Sequence, residues 1–186
     1  MPVGMRRRAL PSRSRHRSRP PEPAKTAPAF RDRLLAEGTL AAPVPDFHYV
    51  ALRAFAHATE DPEKVRAALA TLLGDAAVTQ TAVEGSHGNP ILILEATAER
   101  TADIKAFWRR VSDSGLAPRL VEEIDRRLDD EGLFFVRFSK QAAALGRIEL
   151  SQDDDAIQAR AKPRSYPASR QGARKVLEAT LAARPV

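Results

Sequence analysis

Regular alternation of apolar and polar residues begins only at about residue 46. Residues 47–58 (FHYVALRAFAHA) alternate along their whole length, which predicts a strand with both faces partly covered. Asp61 and Pro62 then fit the N-cap and the first position of a helix. Its apolar residues recur at helical spacing, and Gly74 ends it.

Two β-like runs follow within residues 76–99, on either side of the turn EGSHGNP. A second helix is predicted from Thr101, with its apolar side formed by Ile104, Phe107, Trp108 and Val111, and it stops at SDSG. A third is predicted from about Pro118 to Gly132.

The last third of the chain predicts strands at 133–140, 147–151 and 156–162. QAAALG, between the first two, is expected to be a tight turn or short helix, and QDDD to be a turn. A final helix begins after Ser169. The order β-α-β-β-α-α-β-β-β-α predicts an α+β fold, a mostly antiparallel sheet with helices packed on one face.

Charge is distributed unevenly along the chain. The 186 residues contain 30 Lys and Arg against 24 Asp and Glu, and residues 1–45 hold ten of the basic residues but three of the acids. Residues 46–186 therefore carry 20 basic and 21 acidic residues, so the predicted single domain is nearly neutral. The Arg/Pro/Ser-rich segment 1–45 is predicted to be disordered. It is either a tail that binds nucleic acid through phosphates or an extension without function.

Composition excludes several classes of site. The chain has no cysteine, which rules out a disulfide framework, a thiolate metal site and a cysteine nucleophile. It has neither a run of about 20 apolar residues nor the apolar core of a secretory signal. A soluble cytoplasmic protein is expected.

His87 lies between glycines in the turn EGSHGNP, which raises the question of a phosphate-binding loop. Such a loop joins a strand to a helix, whereas this turn joins two β-like runs, so a hairpin tip is predicted. A metal site built from His57, Glu60 and His87 is an alternative, although the spacing matches no metal signature. Nothing resembles a nucleophile motif, so the enzyme interpretation is weak.

A stripe of donors is predicted on the strand AIQARAK. Ile157, Ala159 and Ala161 point to one side, and Gln158, Arg160 and Lys162 to the other. The stripe is either a solvated, charged sheet face or a surface that contacts phosphates. Phe135 and Arg137 share one side of their strand, and Phe135 is expected to belong to the core.

Four stretches together resemble the archaeal RNA-binding proteins described as predicted exosome subunits. They are FAHATEDPEKV, EGSHGNPILILEA, FVRFSKQAAALGRIEL and DAIQARAKPRSYP, in the family's order, and the resemblance covers about residues 46–183. It implies a fold similar to the ribosomal protein that binds 5S RNA, RNA binding without catalysis or cofactor, and a link to RNA-processing or RNA-degrading proteins such as the exosome.

The candidate RNA contacts combine that resemblance with the stripe. They are His57, His87, Gly88, Asn89, Lys140, Gln141, Arg160 and Lys162. Because only 5% of residues are aromatic, recognition of backbone and shape is expected over base stacking. The alternative function is a protein-interaction subunit that docks on a nuclease complex and contacts RNA little.

Overall fold

The computed structural model describes residues 46–85 and 88–183, and the predicted tail at 1–45 lies outside them. Along the chain the elements are β1 (Phe47–Ala56), α1 (Pro62–Leu73), β2 (Val78–Glu84), β3 (Pro90–Ala98), α2 (Thr101–Asp113), α3 (Ala117–Glu122), α4 (Ile124–Arg127), β4 (Phe134–Ser139), α5 (Lys140–Ala144), β5 (Ala156–Pro163) and α6 (Arg170–Ala182). No helix in these ranges combines the length and the apolar character that crossing a membrane requires.

The five strands form one sheet in the order β2-β3-β1-β5-β4, and every neighbouring pair is antiparallel. The predicted α+β class is therefore confirmed. In the described part of the chain, the first strand, β1, lies at the centre and the last strand, β5, packs beside it, so residues from both ends of the described domain share one surface. This order places β5 directly between β1 and β4.

One face of the sheet is the core. Val50, Leu52, Ala54 and Ala56 of β1 are buried on it, and the apolar sides of α1, α2 and α6 pack there. An irregularity in the β1–β5 register between Phe47 and Tyr49 turns Phe47 toward the same side, where its ring centroid lies 5.1 Å from that of Trp108.

The opposite face remains at least partly exposed, and we call it the open face. On β1, β5 and β4 it consists of Tyr49, Ala51, Arg53, Phe55, Gln158, Arg160, Lys162, Phe135 and Arg137.

The helix predicted from Pro118 to Gly132 is wrong in its extent. The chain leaves helical geometry at Glu123, which separates α3 from α4, and becomes extended again at Leu128. Leu128 is buried, and it pairs with Phe134 as an isolated bridge beside β4. The apolar periodicity was therefore produced by two short helices and a bridge.

The strand predicted at 147–151 is also wrong. Only Leu150 forms a bridge, to Phe138, with flanking hydrogen bonds from Ser139 N to Glu149 O (2.8 Å) and from Ser151 N to Arg137 O (2.9 Å). The Arg147 N–H is still bonded to Ala142 O of α5 (2.9 Å), so too few residues remain to form a longer ladder. The short helix at QAAALG is confirmed as α5.

Candidate functional site

The glycine-containing turn is the tip of the β2–β3 hairpin, as predicted. Glu84 pairs with Pro90, and Gly85 N donates to Asn89 O at 2.8 Å. Gly88 has a φ of +73°, a conformation that glycine adopts without strain. Gly88 and Asn89 are exposed. Ser86 and His87 lie outside the described residues, so the role of His87 stays a prediction.

Lys140 is held inside the domain. Its side chain is only 3% exposed, and Nζ donates to Phe55 O (2.9 Å), Glu60 Oε2 (2.7 Å) and the Asp155 carboxylate. An ammonium group has three N–H donors, and all three are used here. This corrects the prediction that Lys140 contacts RNA, because it has no donor left to offer.

The same cluster bears on the alternative metal site. His57 is exposed at the end of β1, and its Nε2 lies 3.9 Å from Asp155 Oδ1. Ligand atoms of His57, Glu60 and Asp155 lie within 4.8 Å of one another. However, both carboxylates already face the Lys140 ammonium, so a metal ion would have to compete with a buried cation. The arrangement fits a structural ion cluster better than a metal site.

Four of the predicted contacts lie at one end of the sheet. Because neighbouring strands are antiparallel, the end of β1 next to His57 lies near the β2–β3 tip with Gly88 and Asn89, and near Gln141 at the start of α5. Gln141 is exposed and lines a shallow pocket of about 290 Å³. Arg160 lies four residues into β5, roughly 13 Å away along the strand.

The donor stripe on β5 points to the open face, as the alternation predicts. Ile157, Ala159 and Ala161 are buried on the core side. Arg160 is exposed and makes no side-chain hydrogen bond or ion pair with any described residue. Lys162 is half-buried, and its Nζ donates to Glu131 O at 2.5 Å. Arg160 is therefore the most available cation of the stripe.

Phe135 lies on the open face next to this stripe, so the expectation that it belongs to the core is wrong. It is 40% exposed and pairs across the strands with Arg160, whose other neighbour is Ala51. Phe134, Val136 and Phe138 fill the core side of β4 instead. Alternation alone places Phe135 on the same side of the strand as Arg137, because the two are two residues apart in FFVRF. The large apolar side chain of Phe135 was the reason to expect it in the core.

Two further arginines add positive charge to the open face. Arg53 Nε lies 3.4 Å from Glu95 Oε1, and its guanidinium carbon lies 5.4 Å from the ring centroid of Phe55. Arg137 pairs with Asp154 at 3.2 Å, a partner that is fully exposed. Such pairs contribute at most about 1 kcal/mol, so they can exchange for another anion. The surface around β5 thus gathers four cations, two of them in ion pairs with Glu95 and Asp154, within a nearly neutral domain.

Glu123 organises the arginines at the break between α3 and α4. Its Oε2 accepts from Arg127 Nε at 2.8 Å, and its Oε1 accepts from Arg119 Nε at 3.2 Å. The hydrogen bond from Arg127 is the main cause that holds the pKa of Glu123 below its ordinary value of 4.5, and desolvation by burial opposes it. The carboxylate therefore stabilises the fold in its charged form.

Glu123→Gln is expected to lower the free energy of unfolding at pH 7. Since the pKa of Glu123 is lowered in the folded state, its contribution is present above the unfolded pKa and is lost as the pH falls through the folded value. Urea unfolding at pH 7 and at about pH 3 checks this. The difference in the free energy of unfolding between wild type and variant should be smaller at the lower pH. A difference that does not change with pH would contradict the lowered pKa of Glu123.

Comparison with known proteins identifies similar chains. Residues 49–163 match a family model described as RNA binding. The RNA-binding protein PAB1135 of Pyrococcus abyssi is 34% identical over 141 residues, which is 70% of this chain and 90% of that protein. Among solved structures, the DUF54 protein Mth689 of Methanothermobacter thermautotrophicus is 31% identical with a TM-score of 0.66, covering 73% of this chain and 98% of its own. AF2318 of Archaeglobus fulgidus is 27% identical with the same TM-score, covering 73% and 99%.

Proposed function

This chain belongs to the RNA-binding family whose model spans residues 49–163, and from that premise we propose that it binds RNA directly through the open face of its sheet. The observation that carries the proposal is Arg160 beside Lys162 on β5, with Arg53 and Arg137 on the flanking strands. Residues 46–186 have a net charge of about −1, so this gathering of cations is not a consequence of excess charge. A cationic strip of this kind suits a polyanionic backbone.

In this proposal the protein recognises mainly the backbone and the shape of the RNA. The cations would contact phosphates, while His57, Gly88, Asn89 and Gln141 would contribute donors at one end of the sheet, together with His87. The protein acts without catalysis or cofactor. Lys140 is left out of the contact set because its donors are used internally.

Replacing both Arg160 and Lys162 with Gln tests the proposal. Each phosphate contact adds about 0.7 to 0.9 to the slope of log affinity against log salt, so the double variant should have a slope less steep by about 1.4 to 1.8. At 0.1 M salt this corresponds to roughly 25- to 60-fold weaker binding. Fluorescence anisotropy with a structured RNA at several salt concentrations measures both quantities.

Lys105→Gln with Arg109→Gln is the matched control. Both residues are exposed on α2, which packs on the core face, and neither makes an ion pair with a described residue. The change in charge is identical but lies on the helix side of the domain. If the control changes the slope as much as the β5 variant does, binding depends on net charge and the open face is not the contact surface.

We further propose that the protein acts in the cytoplasm with RNA-processing or RNA-degrading machinery, which the resemblance to predicted exosome subunits supports. A function as a docking subunit alone has less support. Large exposed apolar side chains in the described ranges are scattered over three different elements and two loops: Val83, Val121, Phe135, Leu145 and Tyr166. Co-purification with nuclease subunits that persists after ribonuclease treatment would demonstrate a protein contact.

A further inference from the structure

A small pocket lies where the open face meets α4. Its volume is about 280 Å³, and it is lined by Arg126, Arg127, Leu128, Asp129, Phe135 and Arg137. The bridge between Leu128 and Phe134 fixes the end of α4 against the edge strand β4, so the pocket is built from two elements held together. Phe135 and three arginines therefore line one cavity.

Phe135 is the aromatic side chain on the open face that is best placed for a ligand. Phe55 already lies under the Arg53 guanidinium and is half-buried, as is Tyr49. Phe135 is exposed and is flanked by Arg160 across the strand and by Arg137 two residues along it. Exposed aromatic rings beside cations are the surfaces on which proteins stack unpaired bases.

The three arginines of the pocket differ in their freedom. Arg127 is 18% exposed and is held by Glu123, so it forms a fixed wall. Arg126 is 78% exposed, and its Nη2 lies 3.3 Å from Glu123 Oε1. Arg137 has only the fully exposed Asp154 as its partner. Arg126 and Arg137 can therefore turn to a phosphate at little cost.

Asp129 is the one acidic residue of the pocket lining. Its Oδ1 accepts the Leu133 N–H at 2.7 Å, which fixes the turn that leads into β4. Its second oxygen is an acceptor that suits the amino group of a base more than a phosphate. The pocket thus has a ring, an acceptor and mobile cations, which are the chemical complements of a nucleotide.

We propose that this pocket binds one unpaired nucleotide of the RNA, with its base stacked on Phe135 and its phosphate held by Arg126 and Arg137. The inference rests on the proposed RNA binding and adds the class of RNA: one that presents an unstacked base in a bulge, loop or end. In a continuous duplex each base is covered on both sides, so its ring is out of reach. Duplex RNA would bind only through backbone contacts with the cations of the open face.

Phe135→Leu in the full-length chain tests the pocket, because leucine stays apolar but cannot stack. Two blunt-ended RNA duplexes serve as probes, identical except that one carries a single-nucleotide bulge. Wild type should bind the bulged duplex more tightly, and the variant should lose about tenfold in affinity for it while its affinity for the uninterrupted duplex changes less than twofold. Anisotropy titrations at one salt concentration measure all four affinities.

Phe55→Leu is the control, since it removes an open-face ring that is already covered. It should leave the preference for the bulge intact, and thermal unfolding of both variants verifies that they are folded. If Phe135→Leu weakens binding to both duplexes equally or to neither, the nucleotide pocket is overturned while RNA binding by the open face stands. If wild type binds neither duplex, the proposed function itself falls.

Discussion

Lys140→Met is expected to lower the free energy of unfolding by about 2 to 3 kcal/mol. Methionine matches the length of the stem but removes the ammonium, so Phe55 O loses its donor and Glu60 faces Asp155 without a cation between them. The loss is smaller than for a fully buried broken pair because Asp155 is half exposed and water can solvate it. Urea unfolding of wild type and variant at pH 7 measures the difference.

Lys64→Met is the matched control, because Lys64 is an exposed lysine on α1 that lines the pocket beside Lys140. It should change stability by less than about 0.5 kcal/mol. At a temperature where both variants are folded, Lys140→Met should retain the RNA affinity of wild type. A variant that stays as stable as wild type but binds RNA more weakly would show that the Lys140 ammonium reaches the ligand.

The position of Lys140 shows where sequence reasoning stops. Its partners Glu60 and Phe55 are 80 and 85 residues away along the chain, so no local pattern could bring them together. A lysine next to a glutamine in an exposed-looking segment has the composition of a surface site. Only the packing of α5 against α1 and the end of β1 turns it inward.

Local periodicity predicted more of the sheet. Alternation was sufficient for β1, β4 and β5, and turn chemistry for the hairpin at Gly88, because a strand that buries one face leaves its period in the sequence. It also predicted that Arg160 and Lys162 share a side. Periodicity could not predict the spatial order of the strands, in which β5 lies between β1 and β4. That order places Arg160 beside Phe135.

Two local predictions from the sequence were wrong. The apolar residues around Glu123 fit a single helix, but the chain breaks there into α3 and α4. At the break the Glu123 carboxylate accepts from Arg119 on one side and from Arg127 on the other. In 147–151, alternation over five residues matched a strand, but the chain is tied to α5 at its start. Short periodic runs are compatible with several structures, and tertiary contacts choose among them.

The candidate interface has two sources of positive charge that differ in kind. Arg160, Lys162, Arg53 and Arg137 are positioned by the sheet, whereas the ten basic residues of segment 1–45 are concentrated by sequence alone. Positioned cations can favour one RNA geometry over another. A basic segment of low complexity adds affinity for any polyanion.

Removing residues 1–45 is therefore expected to weaken RNA binding more than any other change described above, without changing which RNA the protein prefers. A fragment that begins at Asp46 keeps the hydrogen bond from Arg164 N to Asp46 O (2.7 Å) and the ion pair between the same residues (3.3 Å), so the start of β1 stays anchored. If about five of the ten cations contact phosphates, the salt slope becomes less steep by about 3.5 to 4.5, and binding at 0.1 M salt weakens about 3,000- to 30,000-fold. The ratio of affinities between the Arg160/Lys162 variant and its parent should stay the same in the fragment, because the two sets of cations contact different phosphates.

A folded fragment that retains the full salt slope would mean that the segment does not contact RNA. A folded fragment that binds no RNA at low salt would refute the open face as the interface.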